Sequence, residues 1–177
     1  MDRLKKALAG GALAIAATAA SGAYPERPVR VIVPFPPGGS TDVIARLLGE
    51  RMGDALKQVV VIDNRPGASG NLGSEIAARS APDGYTIVMA TVATLTINQH
   101  LYGKLKFDPD RDFVPLNAVA SAFQVLLTNP NAGIASVADL IRMAKARPGV
   151  IVAGSASVGT TGHLSLELLK SITGVQI

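Results

Sequence analysis

Residues 34–44 could bind an anion without any charged side chain. They read Pro-Phe-Pro-Pro-Gly-Gly-Ser-Thr-Asp-Val-Ile and lie between an apolar run and a helical pattern. The glycines let the backbone approach a ligand, and a helix that starts near Ser40 leaves its first backbone N–H groups unpaired. Such groups favour a carboxylate or another small anion. The alternative is an ordinary strand-to-helix turn with a helix cap. We expect Asp42 to cap its helix rather than to meet an anion, or to pair with an amino group if the ligand carries one.

Residues 154–163 offer similar chemistry later in the chain. They read Gly-Ser-Ala-Ser-Val-Gly-Thr-Thr-Gly-His, and small hydroxyls beside accessible N–H groups suit a carboxylate in a closed cleft. The alternative is that Thr160 or Thr161 only caps the helix that follows. His163 stands alone at this helix start, so we expect it to make structural hydrogen bonds rather than to act as a catalyst.

The remaining motifs predict no catalytic residue, metal ion or cofactor. Residues 67–73 have the spacing G-x-x-G-x-x-G rather than the G-x-G-x-x-G of dinucleotide-binding proteins, and fit a bare turn as well as a ligand contact. The sequence contains no G-x-S-x-G elbow, no P-loop lysine and no metal-ligand spacing. Glu75 and Glu167 are expected on solvated helix faces.

The N-terminal segment predicts export. A basic start, an apolar run over residues 7–20 and small residues before position 24 are typical of a secretory signal peptide, here residues 1–23. The run is shorter than the roughly 20 residues that a membrane helix needs. Its removal takes away three cations and one anion, which lowers the net charge from +4 to +2. We therefore expect a periplasmic protein.

The composition excludes several other classes of protein. Hydrophobic residues make up 48% and charged residues 17% of the 177 positions, as in globular chains. Lys and Arg are scattered and aromatic residues amount to 4%, so nucleic acid is not an expected partner. There is no cysteine and hence no disulfide framework.

Hydrophobic periodicity predicts an α/β fold. Apolar runs predict strands over residues 29–33, 59–62 and 85–90, and helical spacing predicts helices over residues 40–56 and 71–79. Continuous apolar strands that alternate with helices favour a parallel sheet covered on both faces.

The second half of the chain has a similar but weaker pattern. We predict helices over residues 95–101, 136–147 and 163–172, and strands over residues 114–120, 123–128 and 150–153. A domain boundary near residues 121–129 would divide the mature chain into units 24–122 and 123–177. The last residues read as the start of another strand, so we expect a fragment of a longer protein.

An ordered set of short motifs resembles the Bug-type solute-binding proteins of tripartite tricarboxylate transporters. The motifs occupy residues 34–42, 64–68, 82–86, 107–113 and 154–164, and together they span nearly the whole mature chain. The resemblance implies a two-lobed periplasmic-binding-protein-like fold (type II), with the first lobe mostly complete and the second truncated. It also implies a non-enzymatic monomer that captures a small di- or tricarboxylate, or a related acid, and delivers it to membrane permease subunits.

The same resemblance implies that loops from both lobes contact the ligand. The expected first-lobe residues are Phe35, Pro37, Gly38, Gly39, Ser40, Thr41, Asp42, Thr91 and Thr94. The expected second-lobe residues are Ser155, Ser157, Gly159, Thr160 and Thr161. Ser69 and Ser157 depart from the family pattern, because members often carry glycine there, and the departure alters the cleft or adds a donor.

Two alternatives remain at this point. One is a nucleotide-binding α/β enzyme, for which Asp63 lies near the distance expected of a ribose-binding acid, about 20 residues past the glycine pair. The glycine spacing and the signal peptide argue against it. The other is a non-functional truncated fragment with an exposed half-domain.

Overall fold

The computed structural model describes residues 23–177, which contain a three-stranded parallel sheet and five α-helices. The signal peptide predicted over residues 1–23 lies, except for its last residue, outside this range. The strands are β1 (Val29–Val33), β2 (Val60–Asn64) and β3 (Thr86–Val88). The helices are α1 (Ser40–Leu56), α2 (Asn71–Ala78), α3 (Asn98–Leu101), α4 (Val137–Ala146) and α5 (Thr161–Thr173).

The sheet has the order β2-β1-β3, with both pairs parallel. In this register Val31 lies opposite Ile62 on one side and Ile87 on the other. β-Branched residues dominate all three strands, as expected of strands buried in a parallel sheet. The prediction of an α/β fold with a parallel sheet is confirmed.

The core lies between the sheet and its covering helices. Helix α1 packs against β1 and β2, whereas α2 packs against β1 and β3. The crossover from β1 to β2 and the crossover from β2 to β3 run in opposite directions across the sheet. Right-handed connections then place α1 and α2 on opposite faces. Val31 and Val33 form one cluster with Ala45 and Met89, and Ile32, which points the other way, is also fully buried.

Helix starts in the second half are set by predicted caps. Ser136 precedes α4, and its hydroxyl accepts the Asp139 N–H at 3.1 Å. Thr160 precedes α5, and its hydroxyl accepts the His163 N–H at 3.4 Å. Each bond satisfies an N–H that the first turn of a helix leaves unpaired. The helices predicted over residues 136–147 and 163–172 are confirmed.

Three of the predicted strands are wrong. Residues 114–120, 123–128 and 150–153 have no strand structure, and their apolar side chains lie exposed, with Phe123 at 92% and Val152 at 88%. A strand is stable only when a neighbour pairs with it, and no strand within residues 23–177 lies beside these segments. The helix predicted over residues 95–101 consists of a π-helical turn, Ala93–Ile97, that continues into α3.

None of the helices within residues 23–177 is both long and apolar enough to cross a bilayer.

Candidate functional site

The strand order creates a topological switch point at one edge of the sheet. The chain leaves β1 towards β2 on one side and later crosses over to β3 on the other. Ligands of open parallel sheets bind at such a switch point, beyond the carboxyl ends of the strands. We name this region the carboxyl edge and define it as the loops 34–39, 65–70 and 89–92, which follow β1, β2 and β3.

The start of α1 lies at the carboxyl edge. The helix begins after Gly39, and no side chain caps it. The N–H groups of Ser40 and Thr41 have no acceptor among residues 23–177, as expected of a first helical turn. The Gly38 N–H is engaged, because it donates to Asp42 Oδ2 at 2.9 Å. The unpaired donors at this site are therefore the amides at the helix start itself.

Asp42 organises the loop before α1. Its side chain is 2% exposed and accepts Arg46 Nε–H through Oδ2 and Asn64 Nδ2–H through Oδ1, both at 2.9 Å. The same Asn64 amide donates to the Phe35 carbonyl at 3.1 Å. The hydrogen bond from Arg46, with those from Gly38 N–H and Asn64, holds the pKa of the Asp42 carboxyl far below its usual range. Asp42 thus fixes the loop before α1, and the expectation that it caps the helix is wrong, because its oxygens bind Gly38 N–H, Arg46 and Asn64 instead.

Two threonines follow β3 in different hydrogen-bonding states. Thr94 Oγ1 accepts the Thr91 N–H and donates to the Thr91 carbonyl, each at 3.0 Å. The Thr94 hydroxyl thereby uses its proton and one lone pair, and the residue is 1% exposed. Thr91 Oγ1 is buried without a partner among the described residues. A buried hydroxyl without a partner is unusual in proteins.

Close packing explains the glycines at positions 70 and 73. A Cβ on Gly73 would lie 2.7 Å from Pro34 Cβ and 2.9 Å from the Arg65 carbonyl oxygen. A Cβ on Gly70 would lie 2.6 Å from Thr94 Cγ2 and 3.3 Å from Phe35 Cζ. These glycines let α2 approach the loop after β1, so this segment needs no dinucleotide to account for it.

The loop 154–161 reaches the carboxyl edge from the second half of the chain. Ser157 Oγ lies 2.6 Å from Ser69 Oγ, in the loop after β2. Gly159 is buried against α3, where a Cβ would lie 2.9 Å from Asn98 Oδ1. The structure thus brings part of the second predicted group of ligand residues beside the first.

Other members of the loop are used for its own structure. The Thr160 hydroxyl donates to the Ser157 carbonyl at 2.7 Å while it caps α5. His163 Nδ1 accepts the Gly159 N–H at 3.3 Å, which agrees with the structural role expected for this histidine. Ser155 and Thr161 are exposed. Pro37, also expected at the ligand, is exposed in the loop after β1.

Sequence reasoning missed several residues that hold these loops together. Asn98 is fully buried and donates to the Ser69 carbonyl at 3.1 Å and to Asn71 Oδ1 at 2.7 Å. The Tyr102 hydroxyl lies 3.2 Å from both Ser69 Oγ and the Val158 carbonyl oxygen, and its single proton can be donated to either of them. Nothing in a short polar helix distinguishes a buried asparagine from a solvated one, so the sequence carried no signal for Asn98.

Two concavities lie next to the carboxyl edge rather than in it. One, of about 370 Å³, is lined by Gln99, Phe107 and Arg111 among others. The second, of about 190 Å³, includes Asn71 and Tyr102. Neither contains a predicted ligand residue. Within residues 23–177, no group of three or more His, Asp or Glu side chains is placed to hold a metal ion.

Comparison with known proteins decides the family. Residues 44–177 match the family described as "Tripartite tricarboxylate transporter family receptor". The chain belongs to this receptor family. "Protein BugT" of Bordetella pertussis, a relative of these receptors, is 42% identical over 164 residues, which are 92% of this chain and 50% of BugT. The resemblance to Bug-type proteins is confirmed.

Solved structures of similar proteins have the same fold as this chain over the residues that superpose. "R. palustris Rpa4515 with adipate" superposes with a TM-score of 0.84 at 40% identity, over 87% of this chain and 52% of that one. "MatC (Rpa3494) from Rhodopseudomonas palustris with bound malate" has a TM-score of 0.74 at 28% identity, over 86% and 52% of the two chains. The chain spans about half the length of the curated relatives and solved structures it matches.

Proposed function

We propose that this receptor-family chain captures a small carboxylate at the carboxyl edge, as the extracytoplasmic solute-binding component of a tripartite tricarboxylate-type transporter. The observation that carries the proposal is the pair of unpaired amides at Ser40 and Thr41, which lie at the switch point of a parallel sheet. Similar proteins with bound adipate and malate support a dicarboxylate as the substrate class.

The chemistry of recognition is that of a helix start. The amides of the first turn of α1 carry the positive end of the helix dipole and would donate to one carboxylate. The buried hydroxyl of Thr91, which has no partner among residues 23–177, would donate a further hydrogen bond from the end of β3. The loop 154–161 would contact the other end of the acid.

The electrostatics of the carboxyl edge are compatible with an anion. Asp42 is the acidic side chain nearest to the amides, and its charge is paired with Arg46 at 2.9 Å. Its oxygens also accept hydrogen bonds from Gly38 N–H and Asn64, so its negative charge is largely compensated within the carboxyl edge. A carboxylate would therefore meet donors rather than an unpaired negative charge.

The mechanism would be capture by closure. We propose that residues 24–122 and 123–177 contribute to separate lobes and that the acid is held between them, in the periplasm, for delivery to permease subunits. Contacts with both lobes would stabilise the closed arrangement. We expect binding rather than catalysis, because the family to which the chain belongs is described as one of receptors.

Calorimetric titration of the purified protein tests the proposal. We expect saturable binding of adipate, malate or citrate, with no heat from a neutral sugar at the same concentration. ATP and NAD serve as the comparison for the alternative function, a nucleotide-binding enzyme. Saturable binding of a nucleotide or of the sugar, with no heat from any of the acids, would show that the proposal is wrong.

A further inference from the structure

Ser69 joins the loop after β2 to the loop 154–161. Its hydroxyl donates to the Val158 carbonyl, and its oxygen lies 2.6 Å from Ser157 Oγ and 3.2 Å from the Tyr102 hydroxyl. A serine hydroxyl has one proton to donate and two lone pairs that accept. Because a carbonyl only accepts, the Ser69 proton belongs to Val158, and the hydroxyls of Ser157 and Tyr102 can donate to Ser69.

The backbone at Ser69 is held in an unfavourable conformation. Ser69 has φ of 53° and the preceding Ala68 has φ of 46°, in the left-handed region that normally favours glycine. The Ser69 carbonyl accepts Asn98 Nδ2–H at 3.1 Å, and this hydrogen bond holds the turn in place. The residue is 6% exposed, so its hydroxyl is shielded from water. A strained backbone with a shielded side chain persists only where surrounding contacts require it.

We propose that Ser69 is a positioning residue, which attaches the loop 154–161 to the carboxyl edge without needing a ligand, so that closure on the acid starts from lobes already joined at this point. The contact is direct, between the protein's own hydroxyls and one carbonyl. The loop that would contact the far end of the ligand is therefore already placed. We name the Ser69–Ser157 hydrogen bond, with the bond to Val158, the serine contact.

The consequence for binding rests on the proposed function. A loop that is already in place loses less conformational freedom when the acid arrives, and this raises the apparent affinity. Loss of the serine contact should therefore weaken adipate binding, mainly through faster dissociation. The contact itself exists whether or not adipate is the ligand, so it can be tested separately.

Cross-linking tests the contact directly, because the chain contains no cysteine. In a variant with Ser69→Cys and Ser157→Cys, two sulfur atoms would replace oxygens 2.6 Å apart, close to the roughly 2.05 Å of a disulfide bond. Oxidised glutathione accepts the two electrons and two protons that the thiols lose. We expect rapid disulfide formation without ligand, seen as the loss of two hydrogens in the intact mass.

The matched control pairs Ser69→Cys with Ser155→Cys, since Ser155 lies exposed in the same loop. This pair should cross-link far more slowly. Equal rates for the two pairs, or a disulfide that forms at positions 69 and 157 only after adipate is added, would overturn the proposal. Adipate titration of the unmodified protein distinguishes the two proposals. Absence of adipate binding would count against the proposed function, whereas the cross-linking rates test the serine contact alone.

A second measurement uses Ser69→Ala, which removes the hydroxyl. Alanine, like serine, must adopt the left-handed backbone conformation at this position. Amide hydrogen exchange in the loop 154–161 should become roughly five-fold faster, as expected from the loss of one net hydrogen bond. Exchange in β1 serves as the internal reference and should not change. Unchanged exchange in the loop would contradict the proposal even if the cysteine variant failed to fold.

Discussion

The Gly38 N–H donates to Asp42 Oδ2 at 2.9 Å, so the first turn of α1 fixes the backbone of the loop that precedes it. Gly38 has φ of +84°, a conformation that other residues adopt with difficulty. The same carboxylate binds Arg46 and Asn64. The position of the unpaired amides at Ser40 and Thr41 therefore depends on the charge of Asp42.

Protonation of Asp42 should destabilise the protein in acid. Hydrogen bonds from Arg46, the Gly38 N–H and Asn64 lower the pKa of Asp42 in the folded state below the value of about 4 for an unfolded chain. The stabilisation is complete above pH 4 and is lost as the pH falls through the folded-state pKa. Thermal melts between pH 2.5 and 7 should show Tm falling less steeply below pH 4 in Asp42→Asn than in the wild type.

Asp54→Asn is the matched control for this measurement. Asp54 is an exposed acid on the same helix, and its removal changes the net charge by the same amount. Its melting curve should follow the wild-type pH dependence. If Asp42→Asn and Asp54→Asn behave alike from pH 2.5 to 7, the carboxylate of Asp42 does not hold the loop.

Gly73→Ala should destabilise the fold. The new Cβ would lie 2.7 Å from Pro34 Cβ and 2.8 Å from Pro34 Cα, and a backbone atom cannot move aside as a flexible side chain can. We expect a loss of about 1–3 kcal/mol in the free energy of unfolding, the usual effect of overpacking. Urea denaturation measures it.

The comparison variant for this substitution is Gly162→Ala in α5. There a Cβ would meet only the end of the Gln124 side chain, at 3.0 Å. Alanine has a higher helix propensity than glycine, so the change should leave the free energy of unfolding unchanged or raise it by up to about 1 kcal/mol. A Gly73→Ala protein as stable as Gly162→Ala would contradict the close approach of α2 to Pro34.

Thr91→Val and Thr94→Val should differ in their effect on the free energy of unfolding. Thr94→Val removes two hydrogen bonds at a buried position and should lower the free energy of unfolding by about 1–3 kcal/mol. Thr91→Val removes a hydroxyl that lacks a partner, so stability should be unchanged or slightly higher. Adipate affinity should nevertheless fall roughly three- to ten-fold in Thr91→Val. An unchanged affinity would remove Thr91 from the proposed site.

The first half of the fold was predictable because local patterns and tertiary structure agree there. The run Val29–Val33 became the central strand. Helical spacing located α1, in which Ile44 and Leu48 pack against the core whereas Val43 and Leu47 are exposed. The cap at Thr160 was likewise readable from residue type and position. Each of these predictions used short-range rules that the packing then supported.

The errors concern features that depend on a distant partner. Residues 123–128 have the composition of a strand, yet Phe123 is almost fully exposed and nothing among the described residues pairs with it. Composition indicates what a segment prefers, whereas a strand also requires a neighbouring strand. The contact between Ser69 and Ser157, 88 residues apart, was invisible for the same reason.

The most direct test of the central claim removes one amide at the start of α1. Ser40→Pro deletes the N–H at the first helical position, where proline is well tolerated. Gly39 already has φ of −76° and ψ of 167°, the extended conformation that a residue before proline requires. The helix should therefore form normally. Ser40→Ala, which keeps the amide and removes only the hydroxyl, is the matched control.

Calorimetric titration with adipate compares the two variants. Recognition through the helix amides predicts that Ser40→Pro weakens binding at least ten-fold, as expected for a lost hydrogen bond to a charged group, whereas Ser40→Ala stays within about three-fold of the wild type. Circular dichroism melts should give both proteins wild-type stability. Wild-type affinity in a folded Ser40→Pro protein would contradict the claim that a carboxylate binds at the start of α1.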